Sequence, residues 1–221
     1  MNAQVSVHTE DKEKNMDLWK AVFTTDPRAV KPITGKSYKG SSPKPYWLVE
    51  QATKMFGPCG IGWGVEVVDQ GFKDCSQDEI LHWATVRVWY VYNGQKGHIE
   101  QMGGTKASYR TNSNKLIVDE DAAKKSVTDG MVKCLSMIGF AGDIFSGRWD
   151  DSKYVEQANE HHQAISREEQ LESEYQQALI DVQNAPNKAA LKQIWTYFEN
   201  TRFAQNIKNS ITAKRDQMGW E

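Results

Sequence analysis

Cysteine is scarce in this chain. Cys59, Cys75 and Cys134 are three among 221 residues, with no Cys-x-x-Cys pair. An odd, scattered set argues against a disulfide scaffold and fits a reducing, cytoplasmic setting. Long apolar runs are lacking too. The best of them, Val86 to Tyr92, is interrupted by Arg87 and falls short of the roughly 18 residues of a membrane span. Met1 to Lys14 is polar and mixed in charge, unlike a signal or transit peptide. A complete phosphate-binding loop is missing. Gly35-Lys36-Ser37 supplies the ending, but Val30 stands where the first glycine belongs and no strand pattern precedes it.

The residue sets of metal chemistry are equally thin. His161 and His162 are neighbours in a helical stretch far from any cysteine, and helix neighbours do not converge on one ion. A metal nuclease needs carboxylates gathered on adjacent strands. Glu66 and Asp69 share a strand, but their odd spacing points them to opposite faces. Asp143, Asp150 and Asp151 have no companion lysine on a strand. Cys134 reads as a packing residue, and Cys59 sits in a turn with nothing nearby to activate it. These residues suggest no cofactor, metal site or catalytic group.

What the chain does have is the makings of a core: 39% hydrophobic and 25% charged residues, with eight tryptophans. The net charge of −2 is unevenly spread. Residues 1–153 carry a slight positive excess and 154–221 a negative one. Arg28 to Val49 holds Arg28, Lys31, Lys36, Lys39 and Lys44 with no acid, and Gln101 to Lys115 holds Lys106, Arg110 and Lys115 with none. Basic windows inside a near-neutral chain are either solvated loops or the footprint of an anionic partner.

Residues 1–16 read as a disordered leader. Asp17 to Phe23 reads as a helical turn docking through Leu18, Trp19, Val22 and Phe23, and Thr24 to Pro45 as a long loop. Tyr46 to Phe56 has a helical stripe (Leu48, Val49, Ala52, Met55, Phe56) closed by Gly57-Pro58. Ile61 to Asp69 alternates as a strand, and Ile80 to Tyr92 does so more strongly. Asn93-Gly94 signals a hairpin returning over Gly97 to Gly104. The basic segment Thr105 to Lys115 then leads to a helix with Ala123, Val127, Met131, Leu135 and Ile138 on one face. The predicted class is α+β: a three-stranded antiparallel β-meander packed by a long helix, β-β-β-α. A helical C-terminal tail follows, with a break at Pro186. The expected division is a leader over 1–16, a core over 17–154 and the tail over 155–221.

Two segments carry a family signal. One is Ala52 to Val67, ATKMFGPCGIGWGVEV; the other is Ala122 to Phe140, AAKKSVTDGMVKCLSMIGF. Their Phe-Gly…Gly-Trp and Val-Thr-Asp-Gly-Met elements, in that order around a meander, resemble the Rad fifty-two type single-strand annealing proteins, with phage homologues of the Sak and Erf groups. Gly139 to Tyr154 looks like the phage branch. The resemblance covers about half of the chain. It implies ATP-independent binding and annealing of single-stranded DNA by a homo-oligomeric ring or filament in phage-type homologous recombination, with no cofactor and no catalytic residue. Of the family's basic cluster after the glycine, Lys133 alone matches, with Val132 and Ser136 at the other positions. A family arginine falls at Trp47, and another basic contact near Ser113. The groove is therefore weaker than the family's or rebuilt from other residues. The candidate DNA contacts are Lys36, Lys39, Lys106, Arg110, Lys115, Lys124, Lys125 and Lys133. Thr128 is expected to bond a carbonyl of its own helix. Tyr38 and Trp47 are either stacking groups or core, and Arg87 either pairs within the sheet or lines the groove. The acidic tail is expected to recruit an exonuclease or a single-strand binding protein. A metal-dependent nuclease and an oligomeric interaction scaffold are the alternative readings.

Overall fold

A computed structural model describes residues 13–34, 39–76 and 78–220. The leader thus lies mostly outside the described residues, as do Lys36 and Tyr38. The chain divides into two compact units, the first ending at Ala158 and the second beginning at Asn159.

The first unit is α+β. Helix α1 (Asp17–Val22) and a 3-10 turn (Pro27–Ala29) precede strands β1 (Val30–Pro32) and β2 (Ser41–Pro43), which pair antiparallel. The segment read as one long loop therefore holds a small ribbon. Its strands are three residues each, too short for alternation to register. Helix α2 (Pro45–Phe56) starts on a proline, whose missing N–H falls where none is needed. It buries Leu48, Ala52 and Phe56 and stops at Gly57, where φ is +93°.

The sheet is antiparallel in the order β3 (Trp63–Ser76), β4 (Glu79–Tyr92), β5 (Gln95–Arg110), β6 (Leu116–Val118). The meander has four strands rather than three. Asn93 and Gly94 take φ of 50° and 75°, the positive pair of a tight hairpin turn. Strand β5 continues to Arg110, well past the expected end at Gly104. Gly103 there marks a close approach, not a strand end. Helix α3 (Ala122–Ser136) crosses the sheet at Gly103, where a Cβ would stand 1.9 Å from the Ser126 carbonyl oxygen and 2.5 Å from the Gly130 nitrogen.

That crossing also explains which face α3 buries. The expected stripe ran through Ala123, Val127, Met131, Leu135 and Ile138. The buried set is Ala122, Ser126, Gly130, Met131, Cys134 and Leu135. The helix turns its small residues to the sheet, leaving Ala123 and Val127 half-buried on its flank. Beneath it, β4 buries His82, Ala84, Val86 and Val88. A fully buried Leu135 or Val86 contributes on the order of 1.5–3 kcal/mol. The Cys134 thiol donates towards the Val86 oxygen (3.3 Å) and the Ile99 oxygen (3.4 Å), and burial pushes its pKa up. It is a core residue.

The other face of the sheet carries half-buried Trp83, Thr85, Arg87 and Trp89. Trp89 lies over Gly64 and Trp83 over Gly71. A Cβ would stand 2.7 Å from Trp89 Nε1 at the first and 3.3 Å from Trp83 Cζ2 at the second. Arg87 pairs within the sheet, with Glu100 (2.6 Å) and Glu66 (3.3 Å). A bulge between Val67 and Asp69 corrects the odd-spacing argument. Glu66 lies opposite Arg87 and Asp69 opposite Thr85, so the extra residue brings both carboxylates to one face.

Beyond α3 the chain turns into the short helix α4 (Gly142–Phe145). Asp143 is fully buried and accepts five hydrogen bonds. They come from the Thr25 N–H (2.9 Å) and hydroxyl (2.6 Å), the Ile144 N–H (2.9 Å), Trp149 Nε1 (2.9 Å) and the Tyr154 hydroxyl (3.0 Å). One carboxylate thereby joins the segment after α1 to the stretch that closes the unit.

The second unit is helical. It contains the later part of α5 (Ser152–Asn184), then α6 (Lys188–Phe198) and α7 (Ala204–Met218). Asn187 caps α6 by accepting from the Ala190 N–H at 3.0 Å. The apolar pattern from Leu191 to Ile211 is split by a turn, where the Thr201 hydroxyl accepts from the Phe203 N–H at 3.2 Å. Ala178, Phe198, Phe203 and Ile207 form the core of this unit, with Tyr175 stacked on Phe203 at 4.1 Å. No helix among the described residues is long and apolar enough to cross a membrane.

Candidate nucleic-acid interface

Extending β5 to Arg110 carries Lys106, Tyr109 and Arg110 to one end of the sheet, beside the first turn of α3. A cleft of about 1010 Å³ opens there, lined by Leu81, Lys106, Tyr109, Arg110, the 111–113 turn, Asp119 and Lys125. Three candidate contacts from two elements thus share one concavity. A second groove of about 440 Å³ runs on the other side of Lys125, between the end of β2, the start of α2 and α3. It takes in Lys124, Lys125 and Thr128, with Asp121 and Asp129 in its wall. Lys133 lies further along α3 and donates to the Met102 oxygen at 3.1 Å. Lys115 is exposed in the β5–β6 hairpin, and Lys39 is exposed just before β2. Lys36 falls outside the described residues.

Most of these cations already have carboxylate partners. Lys106 pairs with Glu79, Arg110 Nε with Asp78 (2.8 Å) and Lys125 with Asp119 (2.6 Å). Lys124 pairs with Asp121 (2.8 Å) and Lys133 with Asp129 (2.8 Å). Hydrogen bonding and charge in these pairs raise the pKa of Lys106, Lys124 and Lys125, and lower that of Glu79 and Asp121. The acid-free windows of the sequence are therefore not acid-free in space. Asp78 and Glu79 reach the basic end of β5 from the neighbouring hairpin, and the acids before α3 reach its first lysines. Lys115 and Lys39 make no ion pair among the described residues.

The remaining assignments are local. The Thr128 hydroxyl donates to the Lys124 oxygen at 2.9 Å, within its own helix. Trp47 is half-buried against the core. Tyr109 went unnoticed in the sequence because it follows the glycines that seemed to end the strand. In the cleft its ring centroid lies 5.9 Å from the Lys106 ammonium. Arg148 was also missed: its guanidinium sits 4.8 Å from the ring centroid of Phe23, with no sequence pattern to announce it. Among the described residues no three His, Cys, Asp or Glu side chains lie together as a metal site. The chain matches no protein-family model and no curated protein.

Proposed function

We propose that this chain binds single-stranded DNA and anneals complementary strands without ATP, as a homo-oligomeric ring or filament of phage-type recombination. The observation that carries the reading is the cleft at the end of the sheet, where Lys106, Arg110 and Lys125 surround Tyr109. Cations that track a phosphate backbone beside an aromatic ring are the recurring means of holding a single strand with little sequence preference. The order of meander and crossing helix, with the motifs of the resemblance, supports it further. Annealing needs no chemical step: the protein aligns two strands and base pairing supplies the free energy. On this reading the helical unit, with its acidic balance, recruits an exonuclease or single-strand binding protein, and the setting is the host cytoplasm.

The test is fluorescence anisotropy with labelled single-stranded and duplex oligonucleotides over a salt series, alongside an annealing assay. Single strands should bind more tightly, with affinity falling as salt rises. Because Asp129 is released when Lys133 takes a phosphate, and recruits a cation in turn, the slope per paired lysine should fall below the roughly 0.7 of an unpaired contact on a single strand. Lys133→Ala should weaken binding and keep the fold, since an exposed ion pair contributes at most about 1 kcal/mol. Salt-independent affinity, or equal affinity for duplex, would overturn the proposal.

A further inference from the structure

The sheet has one guarded edge and one open edge. Along β5 the Met102 oxygen accepts from the Lys133 ammonium at 3.1 Å, and the Gly104 N–H donates to Asp129 at 3.2 Å, so α3 closes that side. Strand β6, beyond it, has only three residues. The opposite edge is β3, a strand of 14 residues without proline. Beyond the bridge at Trp63, nothing pairs with its outer side among the described residues. A long open edge is a template for one more strand, because its outward backbone groups lack partners.

The pairing fixes which groups face outward. The Val91 N–H donates to the Gly62 oxygen at 2.8 Å, so the odd-numbered residues of β4 turn their backbone groups towards β3. Their partners Asp69, Gly71 and Lys73 turn back towards β4, which leaves Gln70 and Phe72 facing out. In accord with this, the Gln70 N–H donates to the neighbouring Asp69 carboxylate, at 2.8 Å, rather than to a strand. Side chains alternate along the same stretch. Asp69, Gly71 and Lys73 share the face of Trp83, while Gln70 and Phe72 share the other. Phe72 is 67% exposed. Bulges at Val67–Asp69 and Asp74–Ser76 bound the regular part.

We propose that this stretch pairs with itself: β3 of one copy adds antiparallel to β3 of a second copy, across a two-fold axis through Gly71. Opposed residues in an antiparallel pair must both face in or both face out, so the axis passes through a residue. An axis at Asp69, Lys73 or Asp74 opposes like charges. One at Gln70 or Phe72 leaves Asp69 and Lys73 unmatched. An axis at Gly71 sets Asp69 opposite the partner's Lys73, twice by symmetry, and opposite charges in that position are stabilising. Neither Asp69 nor Lys73 enters an ion pair among the described residues. On the other face Gln70 stands opposite the partner's Phe72. The two Phe72 side chains become diagonal neighbours, about 7–8 Å apart at the backbone and within aromatic reach. The Gln70 N–H passes from Asp69 to the oxygen of the partner's Phe72, which frees Asp69 for the lysine. Gly71 suits the axis, since Trp83 already lies over it, with Cζ2 3.3 Å from where a Cβ would stand. The two four-stranded sheets then join edge to edge in a closed, isologous pair. This adds a named interface to the homo-oligomer proposed above and needs no DNA. A ring grows head to tail, whereas this contact closes on itself.

Cross-linking reads the register directly. Asp69 and the partner's Lys73 form a non-hydrogen-bonded pair, with Cα atoms about 4.5 Å apart, a separation that a disulfide spans. In the full chain carrying Cys59→Ser and Cys75→Ser, Asp69→Cys and Lys73→Cys are made separately, with oxidised glutathione as oxidant. An equimolar mixture of the two should cross-link about tenfold faster than either alone. Charge reversal is the second arm, read by sedimentation velocity, with circular dichroism to check folding. Asp69→Lys and Lys73→Asp should each weaken self-association about tenfold, and the double variant should restore it. A mixture that cross-links no faster than the single variants overturns the proposal. So does a double reversal that stays as weak as either single one. Register-selective cross-linking without oligonucleotide binding leaves this edge standing and removes the annealing proposal; annealing without such cross-linking does the reverse.

Discussion

In the sheet unit aromatic rings lie on glycines: Trp89 on Gly64, Trp83 on Gly71, Tyr90 on Gly97, Trp19 on Gly139 and Phe23 on Gly142. In the helical unit rings lie on rings, with Tyr175 against Phe203 and Phe198, and Phe198 against Tyr197. The two arrangements fail differently. A ring seated on backbone leaves little or no room for one added carbon, so the sheet unit is intolerant of gain. Rings seated on one another close one side of a small core otherwise filled by Ala178, Val182, Leu191 and Ile207, so the helical unit is intolerant of loss.

The strongest test of intolerance to gain is Gly103→Ala. Its methyl group would lie 1.9 Å from the Ser126 carbonyl oxygen, so α3 must lift from the sheet. We expect a loss of more than about 3 kcal/mol, or failure to fold, read by urea denaturation. A variant as stable as the parent would break the comparison. Next in size, Phe203→Ala should cost about 3 kcal/mol, through lost burial and the cavity left against Tyr175. The damage should stay in the second unit. Hydrogen exchange should speed up in α6 and α7 and stay slow at Val86 and Val88; uniform acceleration would mean that the units unfold as one.

The smallest effect sharpens the sheet side. Burial, with the hydrogen bond and charge of Asp143, holds the Tyr154 hydroxyl up to about 12, against the usual value near 10. The folded form keeps its proton over a range where the unfolded form has lost it, so this contribution is complete below about pH 10 and is lost as pH rises towards 12. Tyr154→Phe should remove that alkaline slope and cost about 1 kcal/mol at neutral pH, since Asp143 keeps four other donors. Denaturation midpoints across pH 8 to about 11 would show it; an unchanged slope would assign alkaline lability to other groups.

The strong periodicities were legible from sequence: α2, the alternation of β4 and the Asn93-Gly94 turn. Their signals are local. The fourth strand was hidden because Gly103 and Gly104 answer to α3, some twenty or more residues later in the chain, and local reading took them for a stop. The bulge at Val67–Asp69 reversed a parity that spacing alone could not reveal. Of the candidate interface, the basic residues were visible and the acidic partners of the β5 cations were not, because Glu79 and Asp78 reach Lys106 and Arg110 across a hairpin from outside the acid-free window, whereas Asp129 stands one helical turn before Lys133.

The seat of Trp89 on Gly64 has an evolutionary consequence. Neither residue can drift alone: a larger residue at position 64 collides with the indole, and a smaller one at position 89 leaves the glycine uncovered. The two positions form a single heritable unit, to be exchanged together or kept together. In any lineage where position 64 carries a side chain, a smaller residue should stand in place of the tryptophan opposite.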